Sequence, residues 1–376
     1  MVSRRANLFW CCVIRFKTKM LLTIIIWLII LIVLFCAFWF SKTTRDIPKS
    51  WYEWKMELSF QYVGILGLID DFMYRSSNKV ELYTQPDRIA VITGGNRGIG
   101  LRIIQKLLNC DMTVIIGVRD PNSAEEAVKS LVDLENIEGK IICEHLDVAN
   151  MKSVKEFAEK IKAKFSKVDL LINNAGIMFA PYKLTEDEFE SHLAVNYLGH
   201  FLLQHLLLPE LIKAGNKERK ARIVNISSCV HLIGRINYED INAKKYYYPA
   251  AAYSQSKLAQ ILSTRHLQSV LDLQGLPVLV LAVHPGIVNT DLFEYTSTTS
   301  VPFIKKLIFK TPEEGSRTPV FAAISPKLED REGGLYLSNC RKALSINPVA
   351  LNPKKCEKFF KFSCDLLGIE EFGGKK

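Results

Sequence analysis

Two side chains that could exchange a proton stand four positions apart in the run Tyr253-Ser254-Gln255-Ser256-Lys257. Residues four apart in a helix share one face, so the pattern places the phenol and the ammonium together. A free phenol has a pKa of about 10, and a neighbouring ammonium favours its ionised form. Each residue alone also fits a structural role, with Tyr253 in a core and Lys257 in solvent. The pair by itself therefore does not define a site.

A glycine-rich turn suited to phosphate reads Thr93-Gly94-Gly95-Asn96-Arg97-Gly98-Ile99-Gly100. Glycines permit a tight turn and let backbone N–H groups approach a pyrophosphate, and a following helix adds the positive end of its dipole. Such turns are common on their own. This one lies between an apolar strand and a helix that is predicted to run to about Asn109, which is the context that dinucleotide binding requires.

The elements that position these residues are apolar runs alternating with amphipathic stretches from about residue 86 onward. Strands that alternate with helices imply right-handed crossovers and a parallel sheet, and short apolar strands are typical of sheets covered on both faces. The predicted fold class is α/β, a Rossmann-type doubly wound parallel sheet with helices on both faces, preceded by an N-terminal transmembrane helix. The predicted strands are Arg88–Thr93, Thr113–Gly117, Lys140–Leu146, Leu170–Asn173, Arg222–Ile226 and Val278–Val283.

Three further motifs end predicted strands, in the order Asn173-Asn174-Ala175-Gly176, Asn225-Ile226-Ser227-Ser228 and His284-Pro285-Gly286. With the glycine turn and the Tyr-x-x-x-Lys pair, this ordered and specific set resembles the short-chain dehydrogenases/reductases over about residues 86–340. The runs 86–88 and 309–315 resemble the branch of polyprenol and retinol dehydrogenases. The resemblance implies an oxidoreductase that interconverts a lipophilic alcohol and its aldehyde or ketone. A non-catalytic NADP(H)-binding scaffold is the alternative, and the intact polar set argues against it.

The resemblance also implies a role for each polar residue. Tyr253 would exchange the proton with the substrate oxygen, and Lys257 would favour its phenolate and hold the nicotinamide ribose. Ser228, rather than its neighbour Ser227, would hydrogen-bond the carbonyl oxygen as charge develops there. Asn196 would orient a proton-relay water. The catalytic residues expected from the resemblance are Asn196, Ser228, Tyr253 and Lys257.

The cofactor preference is indicated by charge at the end of the second predicted strand. NAD-binding proteins usually carry an acidic residue there, which accepts from the ribose 2′-OH. Arg119 occupies this neighbourhood and Arg97 lies in the glycine turn, and two cations favour NADP(H). Asp120, if it points inward, leaves NAD(H) open. The expected cofactor-binding residues are Thr93, Gly94, Gly95, Asn96, Arg97, Gly98, Ile99, Gly100, Arg119, Asp147, Val148, Asn174, Ala175, Gly176, Tyr253, Lys257, Pro285, Gly286, Val288 and Thr290.

Two segments are expected to contact the substrate. The loop containing 233–237 and 246–248 either walls the pocket or forms a surface excursion. The run Val301–Phe309 mixes apolar and basic residues, which suits either a lid on a bilayer surface or an ordinary amphipathic helix packed on its own domain. An apolar lid and a membrane anchor favour a lipid substrate over a sugar. Polyprenol/dolichol-type isoprenoids are favoured by the resemblance, with retinoids and sterols as alternatives.

An uncharged apolar stretch of 20 residues, Leu21–Phe40, precedes these motifs. At 1.5 Å per residue it matches the ~30 Å hydrocarbon core of a bilayer. A cleaved signal peptide would have a shorter apolar region that ends in small residues, whereas Phe38, Trp39 and Phe40 stand here. The stretch therefore predicts a retained transmembrane anchor. A second apolar run, Leu58–Ile69, is too short to span, and it predicts either an interfacial helix or an extra helix of the catalytic domain.

The net charge of +10 lies in the two ends of the chain. Residues 1–60 carry nine Lys/Arg against three Asp/Glu, and residues 340–376 carry eight against four. A nucleic-acid enzyme would concentrate positive charge on its folded body, so no nucleic-acid partner is expected. Basic ends beside an apolar segment suit an anionic membrane surface. Five basic residues precede the span and four follow it closely, which leaves the membrane orientation open.

The nine cysteines include no C-x-x-C pair, which argues against a disulfide framework or a metal site and favours a reducing compartment. The expected localisation is a single-pass membrane protein of the endoplasmic reticulum with its catalytic domain facing the cytosol, with lipid droplets as an alternative. A homo-oligomer is left open. The expected organisation is a basic tail at 1–20, the anchor at 21–40, a juxtamembrane linker at 41–85, the catalytic domain at 86–345 and a basic C-terminal extension at 346–376.

Overall fold

The computed structural model describes residues 48–131, 138–293 and 309–374, and its centre is an eight-stranded sheet. The spatial order is β3-β2-β1-β4-β5-β6-β7-β8, in which the first seven strands are parallel and the last pairs antiparallel. The order reverses between β1 and β4, which creates a crevice at their carboxyl ends. The strands are β1 (Ile89–Thr93), β2 (Thr113–Val118), β3 (Lys140–His145), β4 (Leu170–Asn173), β5 (Ala221–Ile226), β6 (Val278–His284), β7 (Tyr336–Ser338) and β8 (Arg341–Lys342).

Helices cover both faces of the sheet. One apolar cluster joins the sheet to α4, α5, α6 and α8, and a second joins it to α2, α3 and α7. The predicted Rossmann-like parallel sheet is confirmed, and each of its six predicted strands forms. The helices are α1 (Trp51–Met73), α2 (Gly98–Leu108), α3 (Pro121–Lys129), α4 (Met151–Lys164), α5 (Gly199–Ala214), α6 (Pro249–Leu273), α7 (Pro312–Ile324) and α8 (Pro353–Leu367).

Shorter helical turns connect these elements. They are Ser191–Leu193, the π-helical Ala194–Leu198, and the 3₁₀ turns Cys229–Ile233, Asp291–Phe293, Pro326–Leu328 and Pro348–Leu351. The π-helical turn runs directly into α5, and the first 3₁₀ turn follows β5. Both turns therefore lie at the carboxyl-terminal edge of the parallel sheet.

Every residue of β5 and β6 is buried, which explains why these strands are continuous apolar runs rather than alternating ones. β5 also contains two buried polar residues, Arg222 and Asn225. The Arg222 guanidinium donates to the carbonyl oxygens of Ala322 at 2.9 Å and Ser325 at 2.7 Å, and its charge is paired with Glu329. The buried charge is tolerated because of this ion pair and these two hydrogen bonds near the end of α7.

Two helices flank the region predicted as the catalytic domain and pack onto it. The run Leu58–Ile69 lies inside α1, which packs against the turn Cys229–Ile233 and against α6. The C-terminal α8 packs along α6 and buries Phe359 and Phe360 against it and α5. Within the described residues no helix is long and apolar enough to cross a membrane. The predicted anchor Leu21–Phe40 lies outside the described residues.

Candidate active site

The glycine turn forms a backbone cradle at the crevice between β1 and β4. Gly94 has a φ of +70°, and a side chain there would place its Cβ 2.9 Å from the Cα of Ala175. A Cβ on Gly100 would collide with the carbonyl oxygen of Gly94. The first turn of α2 has no side-chain cap from Arg97, the residue that precedes it. Uncapped backbone N–H groups beside a close-packed glycine turn fit the pyrophosphate of a dinucleotide.

Thr93 joins this turn to the Asn-Asn-Ala-Gly motif. Its hydroxyl oxygen accepts from the backbone N–H groups of Asn174 and Ala175, each at 3.0 Å. The side chain of Asn174 donates to the carbonyl oxygens of Thr93 at 3.0 Å and Gly94 at 2.5 Å. The two motifs are thus one hydrogen-bonded unit, which fixes the floor of the crevice.

His200 completes this unit, and the sequence offered no local signal for it. Its Nε2 lies 2.8 Å from the Thr93 hydroxyl oxygen, and its Nδ1 lies 3.3 Å from the carbonyl oxygen of Asn196. Thr93 already accepts two N–H groups, so its own hydrogen is directed to Nε2, and Nδ1 carries the imidazole proton. Burial lowers the pKa of His200 to about 4, so the ring is neutral.

The pair predicted to exchange a proton lies on the buried face of α6, directly across from the end of β5. Tyr253 and Lys257 are both almost fully buried, and the Lys257 ammonium lies 5.7 Å from the centre of the Tyr253 ring. Lys257 donates to the carbonyl oxygen of Ile226 at 2.8 Å. Burial lowers the pKa of Lys257 to about 7. Burial raises the pKa of Tyr253 above its usual value, and a hydrogen bond with the Ser228 side chain opposes that rise.

The geometry separates the two neighbouring serines. Ser227 is buried, and its hydroxyl donates to the carbonyl oxygen of Lys257 at 2.9 Å, so it ties β5 to α6. Ser228 is half-buried and shares a hydrogen bond with Tyr253. Only Ser228 therefore faces the phenol, as the resemblance implies.

Asn196 sits in the π-helical turn with both ends of its side-chain amide engaged. Its oxygen accepts from the Ile177 N–H at 2.8 Å, and its nitrogen donates to the Ile177 carbonyl at 3.0 Å and to the Ser256 hydroxyl at 2.9 Å. A Cβ on Gly176 would lie 3.2 Å from the Asn196 amide oxygen and 3.8 Å from the Lys257 nitrogen. The structure thus brings Asn196, Lys257 and Gly176 to one place.

The remaining cofactor-binding candidates line the same edge of the sheet. Arg119 is exposed at the end of β2, and Asp147 and Val148 follow β3. Asp120 does not face the crevice floor, because its carboxylate accepts from the Ser123 N–H at 3.2 Å and caps α3. The Asp147 carboxylate accepts from the Ala149 N–H at 2.9 Å.

The segment that follows β6 packs beside the glycine turn. Gly286 has a φ of +98°, and Val288 is buried and forms a parallel bridge with Lys310. The Thr290 side chain packs beside Gly98: a Cβ added to Gly98 would lie 3.4 Å from the Thr290 methyl carbon, which is van der Waals contact. Arg97 is exposed and pairs with Asp291 at 3.4 Å. These contacts place the segment after β6 directly against the glycine turn.

An apolar cluster surrounds Tyr253 on the side away from the cradle. The Phe179 ring lies 6.0 Å from the Tyr253 ring and 5.0 Å from the Phe60 ring of α1. The loop predicted to wall the pocket contributes Tyr248, which donates to Glu57 of α1 at 3.0 Å. The other members of the cluster are Met178, Val230, Ala250, Cys229 and Leu292. The predicted lid run lies outside the described residues except for Phe309.

The turn that begins at Ser228, the serine expected to be catalytic, is held by a second residue that sequence reasoning missed. Asn347 is buried, and its side-chain nitrogen donates to the carbonyl oxygens of His231 at 3.0 Å, Leu232 at 3.1 Å and Gly234 at 3.2 Å. His231 in turn lies with Nδ1 2.7 Å from the carbonyl oxygen of Ser228. The turn that begins at Ser228 is therefore clamped by the C-terminal segment. No local pattern marks Asn347, because its partners lie more than 110 residues away in the chain.

The sheet topology, the glycine cradle and the Ser–Tyr–Lys geometry define a dinucleotide-dependent oxidoreductase of the short-chain type. The family model for short chain dehydrogenase matches residues 88–300, and the chain belongs to this family. The chain is 40% identical to a polyprenol dehydrogenase from Danio rerio, over 82% of this chain and 95% of that one. It is 39% identical to retinol dehydrogenase 12 from Homo sapiens, over 76% of this chain and 87% of that one.

A solved structure is similar over nearly its whole length. The crystal structure of an uncharacterised protein from Mycobacterium paratuberculosis is 33% identical and superposes with a TM-score of 0.62. The alignment covers 78% of this chain and 97% of that one. The fold and the family therefore agree, and proteins of this fold bind a nicotinamide cofactor.

Proposed function

We propose that this protein is a membrane-anchored oxidoreductase that interconverts a lipophilic alcohol and its aldehyde or ketone, with NADP(H) favoured and a polyprenol/dolichol-type isoprenoid as substrate. The observation that carries the proposal is Tyr253, which hydrogen-bonds Ser228 and has the Lys257 ammonium near its ring, while an apolar cluster lies on its other side. The names of the relatives support the substrate class. The apolar stretch Leu21–Phe40 supports the anchor.

The mechanism follows from the chain's own groups. The bound nicotinamide supplies or removes a hydride. In reduction Tyr253 donates its hydroxyl proton to the substrate oxygen, and the Ser228 hydroxyl donates a hydrogen bond to that oxygen as its charge grows. In oxidation Tyr253 accepts the proton instead. When Lys257 is protonated, its ammonium favours the phenolate form of Tyr253. The side-chain amides of Asn196 and Asn174 keep the glycine cradle and α6 aligned.

The raised pKa of Tyr253 suits the reductive direction. A phenol whose pKa lies above its ordinary value is fully protonated at neutral pH, so it is ready to donate. The apolar cluster that raises this pKa also excludes water from the reacting carbonyl. Reduction therefore uses the neutral phenol of Tyr253, and oxidation, which needs its phenolate, is expected to gain at higher pH.

The preference for NADP(H) rests on Arg119 and on the orientation of Asp120. Arg119 is exposed at the end of β2, whereas the carboxylate of Asp120 is engaged at the start of α3. A 2′-phosphate bound at this edge would therefore contact a cation without a competing carboxylate directed toward it.

Replacing Arg119 by glutamate should weaken NADPH binding by about tenfold or more and leave NADH binding nearly unchanged, because only NADPH carries the 2′-phosphate. Titration of both nucleotides by fluorescence checks this result. Arg331→Glu is the matched control, since Arg331 is an exposed arginine in the turn after Pro326–Leu328 and should shift neither affinity. Equal losses for both nucleotides would show that Arg119 does not contact the 2′-phosphate.

Replacing Asn347 by alanine should lower kcat by about tenfold while nucleotide affinity stays at the wild-type value. The substitution removes the side-chain nitrogen that bridges the carbonyl oxygens of His231, Leu232 and Gly234, which loosens the turn that begins at Ser228, and a small displacement of a catalytic group is costly.

The matched control for Asn347 is Asn352→Ala, which removes the side-chain cap of α8 and should cost about 1 kcal/mol of stability with kcat unchanged. If both variants lose stability and neither loses turnover, Asn347 is structural only.

The substrate proposal is tested with membranes that contain the full chain and with the Tyr253→Phe variant as the blank. Each preparation receives NADPH or NADH and one carbonyl from a panel of a long-chain polyprenal, retinal, a sterol ketone and a short water-soluble aldehyde. The highest kcat/KM is expected for polyprenal with NADPH. A higher value for retinal would assign the protein to retinoid chemistry, as its similarity to retinol dehydrogenase 12 allows. No turnover of any carbonyl or of the matching alcohols would favour a nucleotide-binding scaffold.

We further propose that the catalytic domain faces the cytosol from the endoplasmic reticulum membrane. The six cysteines of the described residues carry free thiols, which suits a reducing compartment. Fractionation together with protease protection of the catalytic domain tests this placement.

A further inference from the structure

Helix α1 carries its acidic residues on the side that faces the protein. Asp71 is buried and pairs with Lys310 at 2.7 Å, and it accepts from the Ile287 N–H at 2.8 Å. Asp70 pairs with Arg341 at 2.5 Å. The other two acidic residues bond tyrosines of the loop before α6, Glu57 with Tyr248 and Glu53 with Tyr246. All four acidic residues of the helix are thereby directed to the catalytic domain.

The opposite side of α1 is apolar and exposed. Its exposed fractions range from 49% at Ile69 to 81% at Phe72. This arrangement inverts the usual pattern of a surface helix, in which apolar residues face the core and charges face water. We call this side the outer face of α1, and its residues are Trp51, Leu58, Tyr62, Ile65, Ile69 and Phe72.

The inner side of α1 lies directly over the catalytic residues. Phe60 packs on Phe179, which packs on Tyr253. A Cβ on Gly67 would lie 3.3 Å from the Cys229 sulfur, next to Ser228 in the chain. The helix thus forms a roof on the apolar cluster around Tyr253.

We propose that the outer face of α1 lies in the surface of a lipid bilayer, so that the roof of the active site is in contact with lipid. The inference deepens the proposed function and rests on its membrane anchor. Ten residues separate Phe40, the end of the apolar stretch, from Trp51, which is a reach of at most ~40 Å. The connection therefore keeps the start of α1 within ~40 Å of the end of the proposed span, a distance that allows α1 to lie on the membrane surface.

Charge and aromatic content also favour lipid as the occupant. In the sequence, four basic residues stand in or shortly before the start of α1, Lys42, Arg45, Lys49 and Lys55, and basic residues beside an apolar segment suit anionic headgroups. Tryptophan and tyrosine prefer the membrane–water interface, and the outer face carries Trp51 and Tyr62. A helix of 23 residues lying flat would place an apolar face ~35 Å long in the interface. A lipid substrate would then pass from the bilayer to Tyr253 without crossing water.

The first test places the photocrosslinking residue p-benzoylphenylalanine at Ile65 or Ile69 of the full chain in phosphatidylcholine–phosphatidylserine vesicles. The matched controls carry it at Leu273 or Leu344, two exposed leucines outside α1. The proposal expects lipid adducts from positions 65 and 69 and none from the controls. A product of twice the chain mass would show that a second copy covers the outer face, and it would overturn the proposal. The absence of lipid adducts at 65 and 69 would overturn it too.

The second test is kinetic and uses the double variant Ile65→Glu with Ile69→Glu in the full chain. Both side chains are about half exposed or more, so glutamate there does not enter the core. The variant should keep kcat/KM on a short water-soluble aldehyde and raise the apparent KM for a long-chain carbonyl in vesicles at least tenfold. Leu273→Glu should change neither value. Equal effects of the double variant on both substrates would overturn the proposal.

The two tests separate this inference from the proposed function. A wild-type protein that turns over no lipid carbonyl would remove the proposed substrate, and the crosslinking result would still decide where the outer face of α1 lies. Conversely, wild-type turnover of polyprenal without lipid adducts would keep the oxidoreductase assignment and remove the bilayer contact.

Discussion

Replacing Tyr253 by phenylalanine is expected to lower turnover by about 10²–10⁴-fold while NADPH affinity stays close to that of the wild type. The substitution removes one hydroxyl, the group that hydrogen-bonds Ser228, and keeps the ring that packs against Phe179. The nucleotide cradle at Gly94 and Gly100 lies on another part of the crevice and loses nothing. Single-turnover rates and nucleotide titrations on the detergent-solubilised full chain measure both quantities.

The matched control for this result is Tyr197→Phe. Tyr197 is also a buried tyrosine, and its hydroxyl donates to Ser363 at 2.7 Å, away from the crevice. Its loss should cost about 1 kcal/mol of stability and leave turnover within a few-fold. If Tyr253→Phe behaves like this control, another group transfers the proton and the assignment of Tyr253 is wrong.

The glycine turn and the six strands of the core could be predicted because their signals are local. The Thr93-to-Gly100 run follows a continuous apolar strand, and β5 and β6 are buried on both faces, which makes their sequences predominantly apolar. The four-residue spacing of Tyr253 and Lys257 likewise reports a helical face, and the structure places both on the buried side of α6. Local sequence patterns were therefore enough to predict the strands of the sheet and the residues at the centre of the candidate site.

The residues that sequence reasoning missed act through distant contacts. His200 hydrogen-bonds Thr93, which is 107 positions away in the sequence, and Asn347 hydrogen-bonds His231, which is 116 positions away. Neither residue belongs to a short motif, and each owes its role to the packing of two elements. Which side of α1 faces the protein could not be predicted for a related reason. Its outer face is apolar, while its acidic residues find partners such as Lys310 that are far away in the sequence.

The choice between Ser227 and Ser228 shows where resemblance and geometry complement each other. Both serines follow β5 and contact α6, so their position in the chain does not separate them. The resemblance favoured Ser228. The structure gives the physical reason, since the Ser227 hydroxyl is engaged with the Lys257 carbonyl and Ser228 is left to meet Tyr253.

Replacing Lys257 by methionine is expected to give a protein that is less active and yet more stable at pH 7. Activity should fall by about 10²-fold or more, because no ammonium favours the Tyr253 phenolate or holds the nicotinamide ribose. The gain in stability follows from burial, which lowers the pKa of Lys257 to about 7 from an ordinary value of 10.5.

The sign of the pH dependence follows from that shift. Between pH 10.5 and 7 the unfolded chain binds a proton that folded Lys257 does not, so the stability of the wild type falls as the pH falls through this window and is level above it. The shift corresponds to roughly 4–5 kcal/mol, since one pKa unit is 1.36 kcal/mol. Methionine has a similar length and no proton to bind, and it leaves the Ile226 carbonyl oxygen without its donor, which costs about 1–3 kcal/mol.

The two stability curves should therefore cross. Without nucleotide, the variant should unfold at a higher temperature than the wild type near pH 7 and at a lower temperature near pH 10.5. Thermal midpoints of the detergent-solubilised full chain across this range measure the crossing. Lys152→Met, at an exposed lysine of α4, should keep the wild-type slope. Parallel curves for Lys257→Met and the wild type would mean that Lys257 keeps its proton in the folded protein, and its part in the chemistry would then be that of a fixed charge.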